Sequence, residues 1–153
     1  MPRTAMVVLD FSGTLSIGAV LFGRDATLLG ALEEAGLRDL VKNTATFWHE
    51  VVDPTWQEGS TTGQGYGRLL ARCLRERLER EGCPVPEGEL LTRATAFVRR
   101  YLAHSTIDPA WTSLLQGLAS RAEVAAVVAT DHYADCLLYT SDAADDLLCV
   151  DLG

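Results

Sequence analysis

The sequence predicts an α/β fold in which a small parallel sheet is interrupted by a long helical segment. Two short apolar runs, residues 5–9 (AMVVL) and 124–129 (VAAVVA), have the length and composition of buried strands. The residues between them follow patterns typical of amphipathic helices. Because parallel strands need a long crossover connection, two strands separated by helices favour a parallel pair.

The segment after the first strand predicts a small flap followed by a helix. Residues 15–22 alternate weakly between apolar and polar positions and include Gly18, which favours a hairpin. Asp25 is a good capping residue, so we expect a helix that begins there and stops at Gly36.

The central part of the chain predicts further helices. Residues 47–52 indicate a short helix ended by Asp53-Pro54, because proline disfavours a helical residue before it. Residues 62–81 form the longest helical pattern, which ends at Gly82. A second long helix is expected over residues 86–103. A third helix is expected to begin at Pro109 and to direct four apolar side chains inward: Trp111, Leu114, Leu115 and Leu118.

Composition excludes several classes of function. The net charge of −8 argues against non-specific nucleic-acid binding. No apolar run approaches the roughly 18 residues of a membrane span, and no signal-peptide pattern opens the chain, so we expect a cytoplasmic protein without a membrane partner. The four cysteines lack CxxC spacing, which favours reduced thiols over a zinc site.

Polar residues stand where both strands end. Asp10 follows the first apolar run and Thr130 follows the second. Ligands of open parallel sheets bind at the carboxyl ends of the strands, so these two residues mark a candidate site. The simpler interpretation is a turn residue at Asp10 and a helix-capping hydroxyl at Thr130.

The stretches VVLDFSGTL and VVAT resemble the first two motifs of the haloacid-dehalogenase-like hydrolase superfamily. The first motif of that family is an apolar strand followed by Asp-x-Asp-Gly-Thr, and the second is an apolar strand ending in Ser or Thr. The resemblance covers residues 1 to about 135. It implies a partial Rossmannoid core formed by residues 1–15 and 107–135, with residues 16–106 as an inserted helical cap.

The resemblance implies a phosphoryl-transfer site. Asp10 would be the nucleophile that forms an aspartyl-phosphate. Its second carboxylate oxygen and the backbone carbonyl of Ser12 would bind Mg²⁺. Gly13 and Thr14 would belong to the phosphate-binding turn. The hydroxyl of Thr130 and the backbone N–H of Asp131 would contact a phosphoryl oxygen. The substrate would be a small phosphorylated metabolite.

One residue departs from the pattern of the family's phosphatases. Ser12 occupies the position of their second aspartate, which protonates the leaving group and then activates water. Serine cannot do this near neutral pH. Two alternatives therefore stay open: a phosphonatase or dehalogenase-type hydrolase, in which Lys42 is a candidate Schiff-base residue, and a non-catalytic binding module.

Residues 136–153 (CLLYTSDAADDLLCVDLG) are expected to be a non-native tail. Asp142 and Asp146 imitate the acidic pair that completes the family's magnesium site, but they follow Thr130 too closely for a strand crossover. No Lys or Arg follows Arg121, so the cationic motif is absent as well. CLLYTSDAAD also resembles, residue for residue, a translated transposase-end adapter from DNA sequencing libraries. We therefore expect a truncated hydrolase without useful activity.

Overall fold

The computed structural model describes residues 5–41, 43–58, 62–130 and 148–151. This part of the chain is mixed α/β, mostly helical, with a small parallel sheet. None of its helices combines the length and the apolar content needed to cross a bilayer. The strands are β1 (Ala5–Asp10), β2 (Val124–Thr130) and β3 (Leu148–Asp151). The helices are α1 (Ile17–Leu21), α2 (Asp25–Glu34), α3 (Thr44–Phe47), α4 (Asp53–Gln57), α5 (Gly63–Arg80), α6 (Glu87–His104) and α7 (Thr112–Ala119).

The sheet confirms the predicted parallel pair. β1 lies beside β2 in a register that runs from Ala5 opposite Val124 to Asp10 opposite Ala129. β3, which belongs to the tail, pairs in parallel with the other edge of β2. Pairing at an open edge uses backbone donors and acceptors that almost every sequence supplies. The presence of β3 therefore gives no information about the origin of the tail.

The prediction that residues 5–9 form a buried strand is wrong for one face of β1. Met6 is 68% exposed and Val8 is 55% exposed, whereas Val7 and Leu9 are half-buried. Side chains alternate between the two faces of a strand, so one face of β1 is packed and the other is open. We call the side of the sheet that carries Met6 and Val8 the open face.

The predicted flap is a helix instead. The hydroxyl of Ser16 accepts a hydrogen bond from the N–H of Ala19 and caps α1. α1 packs against the end of α6, where a Cβ on Gly18 would lie 2.0 Å from the carbonyl oxygen of His104. Glycine is therefore required for this close approach, rather than for a hairpin turn. α2 begins at Asp25 and ends before Gly36, as expected, although Arg24 occupies the capping position.

Pro54 does not end the helix that precedes it. A π-helical turn, Trp48–Val52, joins α3 to α4, and Asp53 donates its N–H to the carbonyl of Trp48. A turn with five-residue spacing changes which carbonyls are bonded, so proline can sit in the first turn of α4, where its missing donor costs little. The prediction that Asp53-Pro54 ends this helix is therefore wrong.

The two long helices agree with the sequence. Thr62 caps α5 by accepting from the N–H of Gly65, and the chain leaves α5 at Gly82. α6 follows Pro86. The third helical segment begins with a short 3₁₀ turn, Pro109–Trp111, before α7. Its inward face is narrower than predicted, because Leu115 is 3% exposed but Leu114 is 49% exposed.

One hydrophobic cluster joins the helices to the sheet. Aromatic rings make its centre: the ring of Phe22 meets the rings of Phe97 and Tyr101 edge-on, with centroids 5.5 and 5.1 Å apart. Phe11, immediately after β1, and Val128 in β2 are both completely buried in the same cluster. Phe11, which follows Asp10, and Val128, two residues before Thr130, therefore anchor these two segments in the core.

The cluster also holds one buried cation. Arg77 on α5 is 2% exposed, and its Nε lies 3.1 Å from Glu81 and 3.4 Å from Glu50. Its two terminal nitrogens have no hydrogen-bond partner in the part of the chain that the structure describes. Both glutamates keep contact with solvent.

Candidate active site

The loop after β1 is held by its own backbone. The N–H of Leu15 donates to the carbonyl of Asp10 at 3.3 Å, and the N–H of Ser16 donates to the carbonyl of Phe11 at 2.8 Å. Phe11 and Leu15 are both fully buried and pin the two ends of the loop to the core. Ser12, Gly13 and Thr14, between these anchors, thus lie on a turn that is held at both ends.

Gly13 makes this turn possible. Its φ is +79°, in the left-handed region where side chains are disfavoured. A Cβ at this position would also approach Cγ2 of Val20 to 3.3 Å. The N–H of Gly13 donates to the carbonyl of Ser16 at 2.9 Å, which closes the turn. Both the conformation and the close approach favour glycine at this position.

The carboxylate of Asp10 stands at the carboxyl end of β1 and is exposed. The hydroxyl of Thr14 donates a hydrogen bond to Oδ2 of Asp10 at 3.1 Å. This contact restricts the orientation of the carboxylate. Thr14, expected in the phosphate-binding turn, therefore contacts the candidate nucleophile directly.

Thr130 lies at the same edge of the sheet but faces the other way. The register sets Asp10 opposite Ala129, and paired residues of parallel strands project from the same face. Thr130, one residue further, projects with Val128 toward the packed face and is 4% exposed. The backbones of Asp10 and Thr130 are thus close together, because their strands are adjacent. Their side chains are separated, because they project from opposite faces of the sheet.

Two distant residues steady the loop, and the sequence prediction missed both. Trp111 donates its indole N–H to the carbonyl of Thr14 at 2.9 Å, and Asp108 donates its backbone N–H to the carbonyl of Leu15 at 2.7 Å. A signal for the first contact existed, since a half-buried indole N–H needs an acceptor. Its identity could not be predicted, because the two residues are far apart in the chain.

The described residues supply only part of a magnesium shell. Asp10 contributes one carboxylate, Ser12 is half-buried beside it, and no group of three or more His, Cys, Asp or Glu residues occurs among the residues described. Mg²⁺ needs six oxygens in octahedral geometry and takes many of them from water and phosphate. The arrangement therefore does not complete a magnesium site by itself.

Several predicted residues lie outside the described part of the chain. These are Asp131, with its expected N–H donor, Lys42, the candidate Schiff-base residue, and the acidic pair Asp142 and Asp146. Their roles stay predictions.

Comparisons of the chain with protein-family models, with curated proteins and with solved structures gave no match.

Proposed function

We propose that Asp10 is the nucleophile of a phosphoryl-transfer hydrolase of the haloacid-dehalogenase-like type, acting on a small phosphorylated metabolite. The observation that carries the proposal is an exposed carboxylate at the carboxyl end of a parallel strand, on a turn that only glycine permits. This is the position at which open parallel sheets bind their ligands.

The chemistry follows from the position of Asp10. One carboxylate oxygen attacks phosphorus, the bond to the leaving oxygen breaks, and that oxygen departs with the electron pair. The product is an aspartyl-phosphate, which water then cleaves to inorganic phosphate and free Asp10. The Thr14 hydroxyl orients the attacking carboxylate. Mg²⁺, which we propose is held by Asp10 and the Ser12 carbonyl, would offset the repulsion between carboxylate and phosphate.

The two halves of this reaction make different demands on Ser12. A good leaving group departs without a general acid, so attack by Asp10 does not need an acidic residue at position 12. Water, in contrast, needs a base to attack the aspartyl-phosphate, and serine is not one near neutral pH. We therefore expect the covalent intermediate to outlast the first step, and turnover to be negligible.

The lack of a downstream cation lowers the rates of both steps further. No Lys or Arg follows Arg121 in the sequence, so no basic side chain from that part of the chain can neutralise the phosphate. Losing one electrostatic partner of this kind costs about 10²- to 10³-fold in rate. Hydrolysis of p-nitrophenyl phosphate by this chain with Mg²⁺ is therefore expected at background level. Turnover that disappears in Asp10→Asn would contradict this expectation.

Labelling is the sharper test of the proposal, because one event per chain is enough to detect it. The chain is incubated with acetyl phosphate and Mg²⁺, and intact-protein mass spectrometry measures the addition of one phosphoryl group. We expect the label on Asp10, removable by hydroxylamine, and absent from Asp10→Asn. Asp39→Asn is the matched control, since Asp39 is also exposed but lies in a 3₁₀ turn outside the site. Labelling that survives in Asp10→Asn, or fails in the parent chain, would refute the assignment.

A non-catalytic binding module is the second candidate, and Ser12 is the observation that favours it. A module of this kind would bind phosphorylated ligands at the same turn without forming a covalent bond. Saturable binding of a phosphate ester that weakens in Asp10→Asn, together with no label in the parent chain, would support this candidate over the hydrolase.

A further inference from the structure

The interface between α5 and α6 opens into a cavity of about 380 Å³, well away in sequence from Asp10. Six of the residues that line it lie at helical spacing on the facing sides of the two helices: Gln64, Arg68, Leu91, Thr95, Arg99 and Leu102. A second cavity of about 370 Å³ adjoins the first and shares Arg68 and Leu91 with it. We call the first cavity the α5–α6 groove. Its volume suits a small ligand, because ligand pockets typically begin at about 300 Å³.

Two arginines of the groove have no counter-charge among the described residues. Neither Arg68 nor Arg99 makes an ion pair or a hydrogen bond with any residue that the structure describes. The neighbouring arginines of α5 differ: Arg72 pairs with Glu58, and Arg75 lies 3.2 Å from Glu87. In a chain with a net charge of −8, two exposed arginines that line one cavity without an acidic partner among the described residues are available to an anion.

The amino end of α5 adds to the positive potential. Gly63, the first residue of this 18-residue helix, also lines the groove. The amino end of a helix carries a partial positive charge and favours anions near it. The groove therefore combines two unpaired arginines with a helix end, and each of these features favours a negatively charged ligand.

The remaining wall of the groove is apolar. Val98 is 2% exposed and forms part of the floor, and Leu91, which is 38% exposed, and Leu102 lie on α6 beside it. Close packing of the helices sets the width, because a Cβ on Gly67 would contact the hydroxyl oxygen of Thr95 at 3.4 Å. An anion with a short hydrocarbon body would fill this shape better than a bare ion.

We propose that the α5–α6 groove binds a small organic anion. Arg68 and Arg99 hold its phosphate or carboxylate group, and Leu91, Val98 and Leu102 contact its hydrocarbon part. No residue that lines the groove belongs to the Asp10 turn, and the proposal does not depend on the phosphoryl-transfer function proposed above.

The test is calorimetric titration of the whole chain with butyl phosphate, pentanoate and inorganic phosphate, in buffer without divalent metal ions. Butyl phosphate is expected to bind more than about tenfold tighter than inorganic phosphate, because each buried methylene contributes roughly fourfold. The comparison with pentanoate distinguishes a phosphate site from a carboxylate site. Arg68→Gln and Arg99→Gln are each expected to weaken binding by at least about tenfold, the usual effect of losing a hydrogen bond to a charged group.

Two controls make the result decisive. Arg121→Gln removes the same charge outside the groove and is expected to leave affinity unchanged. Leu91→Ser should weaken the binding of butyl phosphate but not that of inorganic phosphate. If Arg121→Gln lost as much affinity as the groove variants, the binding would be non-specific charge attraction and the proposal would be overturned. Loss in Asp10→Asn with the groove variants intact would place the anion at the Asp10 turn instead and overturn it equally.

Discussion

Replacing Gly18 with alanine is expected to destabilise the fold, whereas the same replacement at Gly30 is expected to stabilise it. Both glycines are helical, in α1 and α2, so both variants gain the same helix propensity of about 1 kcal/mol. Their surroundings differ completely. A Cβ on Gly18 would meet the His104 carbonyl oxygen at 2.0 Å, while a Cβ on Gly30 would meet nothing within 4 Å.

The magnitude follows from what must move. A contact of 2.0 Å requires a shift of about 1 Å in backbone at the end of α6 or in α1, since real Cβ contacts are essentially never shorter than 3.0 Å. Overpacking of this kind costs about 1–3 kcal/mol, and the backbone origin of the clash favours the upper end. After the gain in helix propensity is subtracted, Gly18→Ala should lower the free energy of unfolding by about 1–2 kcal/mol. Gly30→Ala should raise it by about 0.5–1 kcal/mol.

Thermal unfolding followed by far-ultraviolet circular dichroism measures the difference. For a chain of this length, 1 kcal/mol shifts Tm by about 2–4 °C, so the two variants should differ by about 3–12 °C. A Gly18→Ala variant as stable as Gly30→Ala would refute the close approach of α1 to α6. Because α1 also places Val20 against Gly13, that result would remove one support of the Asp10 turn.

Three further predictions concern the buried arginine, the cysteines and the tail. Arg77→Met should leave the free energy of unfolding unchanged or raise it by about 1 kcal/mol, because methionine removes a poorly paired buried charge and keeps most of the volume. Arg77→Ala should lower the free energy of unfolding by about 2–3 kcal/mol, because it leaves a cavity. Urea melts in which Arg77→Met and Arg77→Ala lose the same free energy of unfolding would contradict this account. Burial, reinforced by nearby glutamates, raises the pKa of the Cys73 thiol, so little thiolate forms at neutral pH. Iodoacetamide should therefore alkylate exposed Cys83 first, and raising the pH should speed the reaction of Cys73, as peptide mapping by mass spectrometry would show. Deleting residues 136–153 should leave Tm unchanged, although β3 pairs with β2, and a loss of several degrees would mean that the tail is integral to the fold.

Elements specified by local signals were predictable from the sequence. The bounds of α5 follow from the Thr62 cap and the glycine after its last turn, and both strands follow from apolar runs of strand length. The π turn before Pro54 was not predictable, because it depends on the packing of the helix rather than on a residue preference. The open face of β1 was missed for a similar reason, since an apolar run does not specify how many neighbours cover it.

The candidate site divides in the same way. The position of Asp10 and the conformation of Gly13 follow from the motif itself. The direction of Thr130 does not, because a shift of one residue in register reverses which face every side chain occupies. Register depends on the contacts of the folded sheet, so the sequence could place Thr130 at the correct edge but not on the correct face.

The pairing of Ala5 with Val124 also affects the order in which the molecule can fold during synthesis. β1 leaves the ribosome before β2, which is translated only after all the residues of α1 to α7. The contacts between α5 and α6 join residues that are near each other in the sequence, so this helical hairpin can form early. The sheet forms later, because β1 and β2 are far apart in the sequence. During that interval Met6 and Val8 are apolar residues on a strand without neighbours, which is the kind of segment that chaperones bind. β1 thus acquires its native strand contacts later than α5 and α6 acquire theirs, although it is translated before them.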